Sequence, residues 1–169
     1  MIKSSIKIVF IGDPKVGKTS MVKNSIEAEN YEERNLASNE SLINPILIHN
    51  ENVNSNMNII LIDTSSSQER LQQTITEIKN ADSIILIYDM SNEATINSLS
   101  RRWLPLIKAH NPAVPVLLIG NKLDLVINDE EKYVKSKVRR VLGLLFKDFK
   151  VILLEYRVGH RVFPSLRPP

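Results

Sequence analysis

The sequence predicts an α/β fold on two observations: apolar runs of strand length alternate with stretches whose apolar residues recur at helical spacing, and several of those runs are apolar throughout. A strand without polar alternation is one covered on both faces, which points to a parallel sheet with crossover helices. With 169 residues, 43% of them hydrophobic and 24% charged, the chain is one ordinary domain that can bury about two-thirds of its unfolded surface. The predicted strands run from Ile6 to Ile11, Ile46 to His49, Asn58 to Ile62, Ser83 to Tyr88, Val114 to Ile119 and Val151 to Leu154. Between them, Ile96, Leu99, Trp103 and Ile107 share one helix face, as do Val134, Val138, Val141, Leu142, Leu145 and Phe149. Those stripes are core. The segment from Tyr31 to Asn58 is rich in Asn and Ser and reads as loops, its Asn-dense part as a hairpin tip.

Composition excludes several classes. No cysteine is present, so disulfide scaffolds, zinc ribbons and thiol nucleophiles are ruled out. Against 19 acidic residues stand 22 Lys and Arg, a net charge of +3 without a basic arm, so nucleic acid is not expected as a partner. No apolar run reaches the eighteen or more residues of a membrane span.

Gly12-Asp13-Pro14-Lys15-Val16-Gly17-Lys18-Thr19 fits the G-x-x-x-x-G-K-[ST] phosphate loop, and it lies between a predicted strand and a helical stretch from Lys18 towards Glu27. In such a loop, backbone N–H groups converge on a phosphate, and a side chain at Gly17 would keep the phosphate away. Lys18 would bridge β- and γ-phosphate oxygens, and the Thr19 hydroxyl would ligate Mg²⁺. Pro14 removes one backbone donor from this cradle. Asn121-Lys122-Leu123-Asp124 directly follows a strand and reads as the N-K-x-D base motif. A carboxylate there accepts from guanine N1–H and N2–H₂, so Asp124 selects GTP over ATP; a buried carboxylate left unpaired by adenine would give the discrimination. Asp63, at the end of the strand from Asn58, is expected to hold a Mg²⁺-bound water.

With these elements the chain resembles the Ras-like small GTPases, and among them the N-terminal GTPase domain of mitochondrial Rho (Miro) proteins. The finer resemblance rests on Gly12 to Ser20 with its Pro14, on Ser91-Asn92-Glu93-Ala94-Thr95-Ile96, and on Arg102-Trp103-Leu104-Pro105-Leu106-Ile107. It implies a three-layer phosphate-loop G domain with a six-stranded, mostly parallel sheet. It implies GTP or GDP and Mg²⁺ as ligands, and a slow GTP-hydrolysing switch in mitochondrial trafficking and morphology. Partners would be an exchange factor, an activating protein and trafficking adaptors. The expected nucleotide-binding set is Gly12, Asp13, Pro14, Lys15, Val16, Gly17, Lys18, Thr19, Ser20, Ser65, Asn121, Lys122 and Asp124; the metal set is Thr19 and Asp63; Lys18 and Gln68 are the catalytic candidates.

Two regions depart from the family pattern. Where Ras-like switch II reads D-x-x-G-Q, Ser66 stands for the Gly and Ser67 for the Gln, with Gln68 one place late. No switch I Thr is evident, and Ser38 or the backbone near Ala37 is the nearest substitute. At the other end, Glu155-Tyr156-Arg157-Val158-Gly159 replaces the S-A-K loop, and the ten residues after Gly159 include three Pro, so the final helix is expected to be missing. Residues 1–156 are therefore read as the GTPase domain and 157–169 as an atypical Pro/Arg-rich tail. The EF-hands, second GTPase domain and membrane anchor of whole Miro proteins have no counterpart in this sequence, so the expected chain is soluble and cytoplasmic, its parent at the mitochondrial outer membrane. Two other readings stand beside the switch: a docking module that holds nucleotide with little turnover, and an ATP-using phosphate-loop kinase, against which Asp124 argues.

Overall fold

In the computed structural model, residues 5–27, 42–50, 55–126, 133, 134, 136–138 and 151–155 are described. β1 (Ser5–Gly12) leads into α1 (Lys18–Glu27); β2 (Leu42–Asn50) and β3 (Ser55–Asp63) follow, then α2 (Leu71–Lys79) and β4 (Ser83–Asp89). α3 (Glu93–Ser98), a π-turn over Leu99–Trp103 and α4 (Leu104–His110) make one continuous helical run; β5 (Val116–Asn121) and β6 (Val151–Glu155) complete the sheet. The strand order is β2-β3-β1-β4-β5-β6. Among the described strands, β2 against β3 is the one antiparallel pair.

β1 is hydrogen-bonded to β3 on one side, through Phe10↔Asp63, and to β4 on the other, through Gly12↔Ile87. The chain therefore reverses its direction of travel across the sheet at β1, and the carboxyl ends of strands flanking such a reversal form the crevice where ligands of open α/β sheets bind.

Side chains of β1 alternate between two cores. Val9 and Ile11 join Ile62, Ile84, Leu86, Ile78, Trp103 and Ile107 on the face covered by α2, α3 and α4. Phe10 joins Leu61, Ile87, Ile119 and Val22 of α1 on the opposite face. Apolar residues at both parities are thus the consequence of two covered faces. Ile96, Leu99, Trp103 and Ile107 are all buried, as their spacing predicts, and so are Val134 and Val138.

The expected strands Ile46 to His49 and Asn58 to Ile62 form, and they pair as the arms of a hairpin, but the loop reading of Tyr31 to Asn58 is corrected in extent: both strands reach further into that segment. β2 and β3 pair continuously from Leu42↔Asp63 to Asn50↔Ser55, which makes a long hairpin of a segment whose composition is that of loops. Pro45 is tolerated because β2 is an edge strand among the described residues, and the ladder is made by backbone groups whatever the side chains. β5 starts at Val116 rather than Val114: Pro115 has no N–H, although its carbonyl still accepts from Ile84 N at 3.0 Å. The switch I candidates Ala37 and Ser38, the tail 157–169 and the place of a final helix lie outside the described residues.

Candidate functional site

The phosphate loop is held in a conformation that its glycines permit. At Gly12, φ is +148°, and a Cβ there would meet the Ile87 carbonyl oxygen at 2.3 Å. Gly17, at φ +103°, faces Asn121, whose Nδ2 would lie 2.3 Å from an added Cβ. The glycine is needed for contact with the base motif as well as for open space in the cradle. Lys15 also takes a left-handed φ of 62°. Val16 is fully buried and anchors the loop in the α1-side core.

Lys18 opens α1 and turns back on the loop, donating from Nζ to the carbonyl oxygens of Gly12 at 3.0 Å and Asp13 at 2.8 Å. Burial pushes its pKa below the usual lysine value, partly opposed by the carboxylates of Asp63 and Asp13. Thr19 Oγ1 donates to Asp63 Oδ2 at 2.5 Å. Asp63 is 8% exposed, and its Oδ1 is buried with no hydrogen-bond partner among the described residues. An orphaned carboxylate oxygen beside a threonine hydroxyl suits Mg²⁺, which takes one or two protein oxygens and completes its shell with phosphate and water. Among the described residues no cluster of three His, Cys, Asp or Glu offers a self-sufficient metal cage.

Asn121 joins the two motifs: its Nδ2 donates to the Val16 carbonyl at 2.8 Å across 105 residues of sequence, and its Oδ1 accepts from Lys122 N at 2.9 Å. Lys122 has φ 63°, and its Nζ is paired with Asp89 Oδ2 at 2.6 Å. Asp89 is buried, which raises its pKa, but hydrogen bonds from Lys122 and Ser91 outweigh burial and hold the carboxyl below the ordinary carboxylate range. Asp124 lies in the single turn Leu123–Leu125 and is exposed, so the expectation of a buried carboxylate is corrected: its shielding would come from a bound base.

A cavity of about 510 Å³ is walled by Lys15, Gly17, Lys18, Thr19, Ser20, Asn121, Lys122 and Asp124, together with Met21, Asn24 and Leu125. These last three were not singled out in the sequence; the exposure of Leu125, at 60%, is what marks it now. Gly12, Asp13, Pro14, Val16 and Ser65 are not on that wall. Gly12 and Val16 shape and anchor the loop, while Pro14 is exposed. Ser65 Oγ donates to Ser67 Oγ at 3.1 Å, and the Ser65 carbonyl accepts from Thr74 Oγ1 at 3.1 Å. Asp13 turns to the helical run that begins with α3, where its Oδ1 accepts from Ser98 Oγ of α3 at 3.0 Å and from Trp103 Nε1 of the π-turn at 2.8 Å. A buried indole N–H requires an acceptor, but nothing in the sequence names Asp13 as that acceptor. Gln68 begins the short turn Gln68–Arg70, and its side chain lies outside the described residues.

Against protein-family models, residues 7–155 match the Ras family, to which the chain belongs. Members of this family bind GTP and GDP as nucleotide-dependent switches. Among curated proteins, the chain is similar to "Mitochondrial Rho GTPase 1" of Mycosarcoma maydis, 32% identical over 127 residues that cover 75% of this chain and 16% of the relative. "Probable mitochondrial Rho GTPase gemA" of Dictyostelium discoideum is 31% identical over 141 residues, covering 81% and 20%. "Mitochondrial Rho GTPase 1" of Caenorhabditis elegans is 32% identical over 132 residues, covering 76% and 20%. The chain thus spans about one fifth or less of the length of these relatives.

Proposed function

We propose that the chain is a guanine-nucleotide switch that binds GTP and GDP with Mg²⁺ and hydrolyses GTP slowly. The observation that carries this reading is the 2.8 Å bond from Asn121 Nδ2 to the Val16 carbonyl, which brings a phosphate loop and an N-K-x-D motif to one cavity. Loop amides and the Lys18 ammonium would take the β- and γ-phosphates, the ammonium exchanging the carbonyls of Gly12 and Asp13 for phosphate oxygens. Thr19 and Asp63 would hold Mg²⁺, which supplies charge neutralisation at the bridging phosphates. Asp124 would accept from the guanine edge, with the ion-paired Lys122 beneath it and Leu125 at its side. In hydrolysis, water attacks the γ-phosphorus in line, the bond to the β–γ bridging oxygen breaks, and GDP and inorganic phosphate leave. Ser67, exposed and bonded to Ser65, has no side-chain amide with which to orient that water, and this supports slow turnover in the absence of an activating protein. It equally favours the second reading, a docking module with little hydrolysis; single-turnover hydrolysis with and without cell extract separates the two.

The relatives' names support a mitochondrial association; the resemblance carried by Gly12 to Ser20, Ser91 to Ile96 and Arg102 to Ile107 extends the proposal to trafficking and morphology, with an exchange factor, an activating protein and adaptors as partners and the outer membrane as the parent protein's site. Among the described residues no helix is long and apolar enough to cross a membrane. The test is mass analysis of the nucleotide that co-purifies with the protein in Mg²⁺ buffer. GDP or GTP is the expected result. Adenine nucleotide would overturn it, and Asp124→Asn is expected to shift the guanine preference towards xanthine nucleotide.

A further inference from the structure

Lys122 stands on the wall of the cavity together with Asp124, two residues on, whereas Asp89, which holds the Lys122 ammonium, is not on that wall. Lys122 Nζ donates to Asp89 Oδ2 at 2.6 Å, and Asp89 Oδ1 accepts from Ser91 N at 2.9 Å and from Ser91 Oγ at 2.6 Å. With both oxygens engaged, the carboxylate is held in one orientation. Its backbone is fixed as well: Asp89 pairs with Asn121 in the β4–β5 ladder, its N–H donates to Thr95 Oγ1 at 3.0 Å, and the Asn121 carbonyl accepts from Met90 N at 2.9 Å. All of these contacts are internal to the fold, so the Asp89 side chain, 9% exposed, is a preset anion one strand away from the base motif.

A lysine whose charge is drawn off the wall leaves its methylene stem to face the cavity, an apolar surface suited to the flat face of a base. Asp124 is exposed in the adjoining turn and is the one carboxylate among the described residues of the wall. A loose Lys122 ammonium would find Asp124 within reach, and a carboxylate paired in that way has fewer lone pairs to offer the edge of a base. Asp89 is the better partner because it is buried and already oriented, so the long lysine chain is ordered on folding rather than on binding.

We propose that Asp89 is a positioning residue of the base site: it holds the Lys122 ammonium off the cavity, so that the Lys122 stem faces the bound base and the Asp124 carboxylate stays free to accept from it. The proposal rests on the guanine-nucleotide reading above and adds a residue outside both motifs that reaches the ligand only through Lys122. It acts at the base end, which GDP and GTP share.

The test is a double-mutant cycle on affinity, by competition of GDP and β,γ-imido-GTP against a fluorescent GDP analogue, for the wild-type chain, Asp89→Asn, Lys122→Met and the two combined. Lys122→Met keeps an unbranched stem and removes the ammonium. Asp89→Asn is expected to weaken both nucleotides by the same factor, about tenfold, the scale of one charge-assisted hydrogen bond. In the Lys122→Met background the same change is expected to alter affinity by less than about twofold, because no ammonium is left to hold. A merely structural role for Asp89 would give the same loss in both backgrounds; that result, or no loss in Asp89→Asn, would overturn the proposal. Should Asp89→Asn fail to fold, Asp89→Glu, which keeps the charge but moves it by one methylene, is read on the same cycle with the same two outcomes. A wild-type chain that binds neither competitor would overturn the guanine-nucleotide reading instead, so the two failures are distinct.

Discussion

Asp89 shows how a side chain outside both motifs sets the geometry of the base site. Its Oδ2 takes the Lys122 ammonium at 2.6 Å, and its Oδ1 accepts from Ser91 N at 2.9 Å and Ser91 Oγ at 2.6 Å. Lys122 is thereby held in a backbone conformation, φ 63°, that a non-glycine residue seldom takes. The folded-state pKa of Asp89 is depressed, so its contribution is fully present above the unfolded carboxyl value and is lost as pH falls through the folded value. Asp89→Asn is expected to be less stable than wild type at pH 7 and to lose stability less steeply on acidification; urea midpoints at several pH values between 7 and 3 check this. Parallel pH profiles for the two proteins would count against the ion pair. Lys18, Asp63 and Asn121 were legible because a spacing pattern announces them. Asp89 and the Asp13–Trp103 contact were not, since the partners are 33 and 90 residues apart and no local pattern links them.

The helical run from Glu93 to His110 illustrates what periodicity can and cannot foretell. Its buried stripe is readable from spacing alone; its start is fixed by Asn92, which has extended backbone and whose side chain accepts from Ala94 N at 3.0 Å. The π-turn is not readable from spacing. Pro105 has no N–H to continue the regular ladder, and just before it the Leu104 N–H bonds five residues back to Leu99 O. That widening falls in the stretch that brings Trp103 to Asp13 and Arg102 to Ser66. Asn92→Ala is expected to destabilise the fold by about 1 kcal/mol, the usual worth of an N-cap, as measured by urea unfolding; a change under about 0.3 kcal/mol would mean that the cap is replaced by water. At the other end of the run, Asn111 Nδ2 donates to the carbonyls of Ile78 and Ala81, at 3.0 and 3.1 Å, and so fixes α4 to the end of α2.

On the nucleotide reading proposed above, folding and nucleotide binding are expected to be coupled through the buried charges at the carboxyl edge of the sheet. The Lys18 ammonium is desolvated and the Asp63 Oδ1 is orphaned, and a nucleotide with Mg²⁺ would answer both. A ligand that binds only the folded chain stabilises it by about 2.7 kcal/mol at a hundred times its Kd. Excess GDP with Mg²⁺ is therefore expected to raise the melting temperature by several degrees, and Asp63→Ala should remove the Mg²⁺-dependent part of that rise while keeping a nucleotide-dependent part. An identical response with and without Mg²⁺ in the wild-type chain would remove Asp63 and Thr19 from metal binding. The α/β class, the two-faced strands, the phosphate loop and the base motif were all written in the order of residues, because periodicity and short-range spacing are local properties of a chain. The Asn121–Val16 buckle, the Asp89–Lys122 pair and the Arg102–Ser66 contact were decided by the tertiary structure, because each is a contact between segments that only the sheet order brings within bonding distance.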